Sequence, residues 1–201
     1  MPEIKRGGTG MTNASTLVRA ARKSRRLTQE QLATRALIDQ GSVSRSERGR
    51  DASFETIDRL LSGAGYRLYS APTRRDDAAT VAAEIRRQLA AGDKDRALRA
   101  LLQLNDNLVA EHGLVRGILG LAEPESTRDR VWDAALAALV AWRLGQQGIP
   151  LPAWVNLQAR FLQGQRILEV DPADPVPPLS EVPTEFVARG VLVWRATFES
   201  V

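Results

Sequence analysis

Residues 27–49, LTQEQLATRALIDQGSVSRSERG, constrain the fold more than any other stretch of the chain. Thr28 followed three residues later by Gln31 is a capping-box pattern, so a helix is expected from Thr28 to about Ala36. Leu32, Ala33 and Ala36 would face inward, and the small Ala33 permits two helices to cross closely. A second short helix is expected from near Gln40 to Gly49, where glycine suits the left-handed C-terminal position. On that second helix only Val43 is clearly apolar. Gln40, Gly41, Ser42, Ser44, Arg45 and Arg48 leave a surface of short polar groups and guanidinium ends. A helix kept only for packing carries a wider apolar stripe. This one is suited to lying in the major groove of duplex DNA, where polar base edges are exposed.

The flanks supply what such a pair needs to stand on. A helix from about Ala14 to Arg25, capped by Asn13 or Ser15, places Leu17, Val18 and Ala21 on one stripe. Another, from Ser53 to Ala64, carries Phe54, Ile57, Leu60, Leu61 and Ala64 at helical spacing and stops at Gly65. Residues 27–49 resemble the helix-turn-helix of the large family that includes lambdoid phage repressors, Cro proteins and many bacterial antitoxins. The resemblance implies an all-α fold with a four- or five-helix DNA-binding domain over residues 14–69. It also implies roles residue by residue. Gln29 matches a phosphate clamp at a helix start; Gln40, Gly41, Ser44 and Arg45 match positions that face bases; Ser42, Arg48 and Arg50 match backbone-contacting positions. Arg22 and Glu47 match a buried ion pair that links the first and third helices. Two departures stand out: Leu37 occupies a turn position often held by glycine, so the turn is expected to differ, and Ser46 occupies a core position often held by Leu or Ile.

Charge divides the chain in the same way. Residues 1–75 carry 15 basic and 7 acidic side chains, residues 76–201 carry 13 and 17, and the whole has a formal net charge of +4. A basic first part on an acidic remainder points to two modules, the first facing a polyanion. The absence of cysteine excludes disulfides and thiolate metal sites, and with no apolar run long enough to cross a membrane a cytoplasmic protein is expected. Residues 1–13, with a Gly-rich run, are expected to be flexible. Lys5 and Arg6 are either part of that tail or an arm along a DNA groove. Tyr66-Arg67-Leu68-Tyr69 alternates, which fits a short strand in need of a partner or an extended linker. Residues 70–77 are expected to be a linker.

Residues 78–201 are expected to form a mainly helical partner-binding domain. Val81, Ile85 and Leu89 mark one helix. Ala97, Leu98, Leu101, Leu102, Leu104, Leu108 and Val109 mark the inward face of a second, paired with the first as a hairpin. An alanine-rich helix follows over about Thr127 to Gln147, with another from Trp154 to Leu162. After a proline-rich acidic loop beginning at Asp171, a short helix over 185–188 and a β-prone tail at 191–194 end the chain. Trp132, Trp142 and Trp154 are expected in the core. His112 has no companion for catalysis or metal, Asp171 and Asp174 have no His or Cys partner, and no nucleotide, nucleophile or zinc motif occurs, so neither an enzyme nor a cofactor is expected. The strings WDAALAALVAW, PLPAW and VPTEFVARGVL loosely resemble C-terminal halves of actinobacterial antitoxins encoded beside nucleotidyltransferase-type toxins. That resemblance implies a repressor acting as a type II antitoxin: a homodimer on a palindromic double-stranded DNA operator, with a cognate toxin bound by the C-terminal part. The alternative is a stand-alone regulator whose helical C-terminal part dimerises or senses a small ligand.

Overall fold

A computed structural model describes residues 14–68, 71–170, 173 and 175–199. The expected tail with Lys5 and Arg6, the Asn13 cap, Tyr69, Asp171 and Asp174 lie outside these residues. Four helices build the first part: α1 (Ala14–Ser24), α2 (Gln29–Ala36), α3 (Gln40–Glu47) and α4 (Phe54–Gly63). Three of them start on side-chain caps. The capping box is present, with the Gln31 amide donating to Thr28 Oγ1 (3.1 Å) and the Thr28 amide to Gln31 Oε1 (2.9 Å). Asp39 caps α3 by accepting from the Ser42 amide (2.8 Å), and Ser53 caps α4 by accepting from the Thr56 amide (3.2 Å). Val18, Leu32, Val43 and Leu60 meet in a core to which each helix contributes one or more side chains.

Leu37 stands at the C-terminal end of α2, in the turn toward α3. It adopts the left-handed conformation itself (φ 55°, ψ 45°) and leaves its side chain exposed. Side-chain anchoring also decides residues 66–68, which form no strand. Tyr66 shares a hydrogen bond with Ser24 (2.7 Å) under the Arg25 guanidinium, and Leu68 packs on the same core. With no strand beside it, an extended segment is held by its side chains instead.

The second part is arranged around α8 (Arg130–Gly145), which starts on an Asp129 cap. From Trp132 to Leu144 no residue is more than 7% exposed. Helices α5 (Ala78–Ala90), α6 (Lys94–Ala110) and α7 (Gly113–Leu121) cover it on one side. A three-residue turn joins α5 to α6 as a hairpin, and Leu101, Leu104 and Leu108 of α6 are fully buried. Val109, expected inward, is 44% exposed at the end of its helix. On α7, Gly120 lets the backbone approach α8, since a Cβ there would lie 2.9 Å from Val140. Trp132, Trp142 and Trp154 are all buried.

The helix expected over 154–162 is replaced by two 3₁₀ turns, Ala153–Asn156 and Gln158–Arg160, with Leu157 extended between them. One continuous helix would set Trp154 and Arg160 about 120° apart around its axis. The break aims both inward: the Trp154 indole donates to the Gly120 carbonyl (2.9 Å) and Arg160 to the Pro124 carbonyl (2.6 Å). Strand β1 (Arg166–Ile167) then pairs in parallel with β2 (Val191–Leu192), on either side of the short helix α9 (Thr184–Val187). Residues 73–76 are docked rather than free: Thr73 and Arg75 bond to Glu111, and Asn107 donates to the Asp76 carbonyl. The fold is all-α with a helical C-terminal part and one two-residue strand pair among the described residues.

Candidate nucleic-acid interface

The frame beneath α3 is electrostatic. Arg22 donates from Nε to Glu47 Oε1 (2.5 Å), from Nη2 to Glu47 Oε2 (2.8 Å) and from Nη1 to the Leu27 carbonyl (2.8 Å). Arg22 is 8% exposed and Glu47 4%. A two-pronged guanidinium–carboxylate contact fixes orientation as well as distance. It holds the Arg22 cation still more firmly protonated, chiefly through the hydrogen bond to Glu47. The fork ties α1 to the C-terminal turn of α3, beside the buried Ser46.

The network continues outward to the surface. Gln29 donates to Glu47 Oε2 (2.9 Å) and accepts from Gln40 Nε2 (3.2 Å), so a surface amide of α3 is connected through Gln29 to the buried pair. The expected phosphate clamp is therefore also part of the brace. Gln40 and Arg45 are exposed, Gly41 and Ser44 half-buried, and all four lie on α3. Arg48 and Arg50 are exposed just beyond its end.

Asp39 is a residue of this surface that pattern reading missed, although its place before α3 is an N-cap signal. It accepts from the Ser42 hydroxyl (2.5 Å), which accepts in turn from Arg45 Nη2 (2.8 Å). The Asp39 carboxylate lies 3.5 Å from the same Arg45 nitrogen. The Ser42 hydroxyl, then its amide, hold Asp39 below the usual carboxylate range. These groups cross directly over Gly41, where a Cβ would lie 2.9 Å from Asp39 Oδ1 and 3.0 Å from Arg45 Nη1. Gly41 thus makes room for Arg45 to fold back over the first turn. The surface can donate from Arg45 and Gln40 and accept at Asp39 and Gln40, the complement of base edges in a major groove.

Residues 18–68 match the family model described as Helix-turn-helix. The match takes in most of α1, all of α2, α3 and α4, and ends where the chain leaves the first core. The chain therefore carries a helix-turn-helix domain, the DNA-binding module of transcription regulators, and α2–α3 is its bihelical unit. No curated protein and no solved structure matches the chain at a significant level.

Other charged residues that spacing did not single out lie where this domain meets the rest of the chain. Glu125, in the loop between α7 and α8, faces Arg86 of α5 at 2.8 Å and Lys23 and Arg19 of α1 at 3.6 and 3.8 Å. Burial would raise its carboxyl; the hydrogen bond and charge of Arg86, with Lys23 and Arg19, outweigh this and hold it below the usual range. Two residues away, burial pushes Glu123 up. Both line a cleft of about 580 Å³ between α1 and the α7–α8 loop, together with Lys23, Arg128, Asp133 and Arg160. Among the described residues no group of three or more His, Asp or Glu is placed to hold a metal, and no helix is long and apolar enough to cross a membrane.

Proposed function

We propose that this protein is a sequence-specific transcriptional repressor that reads an operator through α3. The supporting observation is the exposed polar face of α3 mounted on a buried ion pair. Gln40, Gly41, Ser44 and Arg45 face the bases, with Arg45 forking onto a guanine and Gln40 onto an adenine. Ser42, Arg48, Arg50 and Gln29 lie toward the phosphates. The repressor binds as a homodimer to a palindrome whose half-sites are about one helical turn apart.

We further propose that it acts as the antitoxin of a type II pair, with residues 78–201 neutralising a toxin of the nucleotidyltransferase type. This rests on the resemblance of WDAALAALVAW, PLPAW and VPTEFVARGVL. A partner surface is available on α7, where Leu114 and Leu121 are 80% and 59% exposed one helical face apart from the buried Leu119. Two experiments test the two halves. Duplexes selected from a random pool by the full chain should share a palindrome, and Arg45→Ala should lower discrimination at one base pair by roughly 1–3 kcal/mol while Gln29→Ala weakens all duplexes alike. Equal losses on matched and mismatched duplexes for Arg45→Ala would refute its reading role. Co-expression with the product of the adjacent gene should restore growth and yield a stable complex; failure of both sinks the antitoxin half and leaves the repressor half standing.

A further inference from the structure

The helix-turn-helix domain does not hang from the body on a tether. Its α1 packs against α5 through small residues, with Ala20 2% and Ala79 1% exposed. Glu125 closes this seam, because Arg19, Lys23 and Arg86 converge on its single carboxylate from two helices. Arg19 has a second engagement. Its Nη2 donates to the main-chain carbonyl of Glu47, the last residue of α3. That carbonyl is one of the four a helix leaves without a partner at its C-terminus, and a cation there also complements the helix dipole. One guanidinium thus spans from the body's carboxylate to the end of the reading helix.

We propose that Glu125 is a positioning residue for DNA reading: it holds Arg19 on the end of α3, and so makes the placement of the reading helix depend on the body. The inference rests on the DNA-reading role of α3. Two effects act together. Arginine has high rotamer freedom, and a fixed partner at one end of the guanidinium restricts the other end. Glu125 also screens three cations from one another. Without it Arg19, Lys23 and Arg86 face each other with no counter-charge, and α1 is pushed from α5. A protein partner that engages the α7–α8 loop and withdraws Glu125 would release Arg19, and bound DNA would oppose that partner to the same degree, because coupling between two binding sites is reciprocal.

The test uses the full chain with Glu125→Gln, Arg19→Lys and the double variant. Two readouts are needed: binding to a duplex selected by the wild type against a scrambled duplex, and amide hydrogen exchange over 44–49. Glu125→Gln should reduce the ratio of selected to scrambled binding about tenfold, equivalent to about 1.4 kcal/mol. Binding to the scrambled duplex should hold or rise, since Arg19 and Lys23 are released to meet phosphates. Exchange at the end of α3 should quicken while α6 and α8 keep their protection. The double variant should lose no more than the larger single variant, as expected for residues acting through one link. Glu125→Asp, which keeps the charge with a shorter reach, should fall between and serves in place of Glu125→Gln if that variant does not fold. Additive losses, equal losses on both duplexes, or unchanged exchange over 44–49 would each overturn the proposal. If the wild type selects no duplex, the DNA-reading role itself fails, and exchange over 44–49 still decides whether Glu125 restrains α3.

Discussion

Glu47→Gln isolates the brace under the reading helix. In the native protein Arg22 makes two charged contacts to Glu47, at 2.5 and 2.8 Å, and one to the Leu27 carbonyl. The variant keeps the volume and the Leu27 contact, but the amide turns one donor toward the guanidinium and leaves a cation that is 8% exposed without the carboxylate it forks onto. Gln29 loses its charged acceptor as well. Removing one side of a buried pair costs about 3–5 kcal/mol, whereas exchanging both for apolar groups is often close to neutral. Glu47→Gln should therefore destabilise the helix-turn-helix domain by about 3–5 kcal/mol, and Arg22→Met with Glu47→Leu should return to within about 1 kcal/mol of the wild type. The assay is urea unfolding with two signals. All four tryptophans follow residue 130, so their fluorescence reports the body, while far-UV circular dichroism reports every helix. The variant should show a dichroism transition at lower urea that fluorescence does not follow. A loss below about 1 kcal/mol for Glu47→Gln, the range of a solvated pair, would refute the reasoning. So would a double variant no more stable than the single one.

Three further outcomes follow from the geometry. Leu37→Gly relieves a left-handed leucine, an arrangement costing roughly 1–2 kcal/mol, against a backbone-entropy cost of about 0.5–1 kcal/mol; a net gain of roughly 0.5–1 kcal/mol should appear as a raised midpoint in thermal melting, and a loss would refute the assigned strain. Glu123 and Glu125 should have opposite pH signatures. Glu125 titrates below its unfolded value, so its stabilisation is present above about pH 4.3 and lost as pH falls through the folded pKa; Glu125→Gln should destabilise at pH 7 and have little effect in acid. Glu123 titrates above its unfolded value, so stability falls as pH rises through that interval, and Glu123→Gln should stabilise at pH 7 and be neutral in acid; matching slopes for the two variants in urea titrations across pH would contradict this. Arg143 donates to Asn105 Oδ1 (2.7 Å) and to the Phe198 carbonyl (3.3 Å) while stacking on Trp142. Lysine cannot reproduce that fork, so Arg143→Lys should cost about 1.5–3 kcal/mol by urea unfolding and quicken amide hydrogen exchange over 195–199; unchanged exchange there would count against it.

The parts of this architecture that were legible before any coordinates are those written locally. Thr28 and Gln31 are three residues apart and form their capping box within one turn, and the stripes at Val81-Ile85 and Leu101-Leu104-Leu108 follow directly from helical periodicity. Arg22 with Glu47 spans 25 residues and was legible only because a family resemblance pairs those positions. The seam was not legible. Residues 19, 23, 86 and 125 belong to three separate elements, and a glutamate in a loop beside Pro124 has no periodicity to mark it. The buried arginines 116, 143, 160 and 189 carried no sequence signal for a related reason: each is buried because carbonyls from distant turns accept its donors. The break at Leu157 reflects tertiary demand overriding a helical pattern. Leu37 shows the reverse case: the sequence marks a position often held by glycine, and leucine takes the left-handed backbone there itself.

The burial of α8 on every side has a consequence for inheritance. WDAALAALVAW lies within the segment where nothing exceeds 7% exposure, and of its letters Asp133 lines the cleft beside α1. Its alanines answer to the neighbouring helices, and selection on them is selection for fit inside the molecule. The outward positions, Leu114 and Leu121 among them, are the ones a partner would meet.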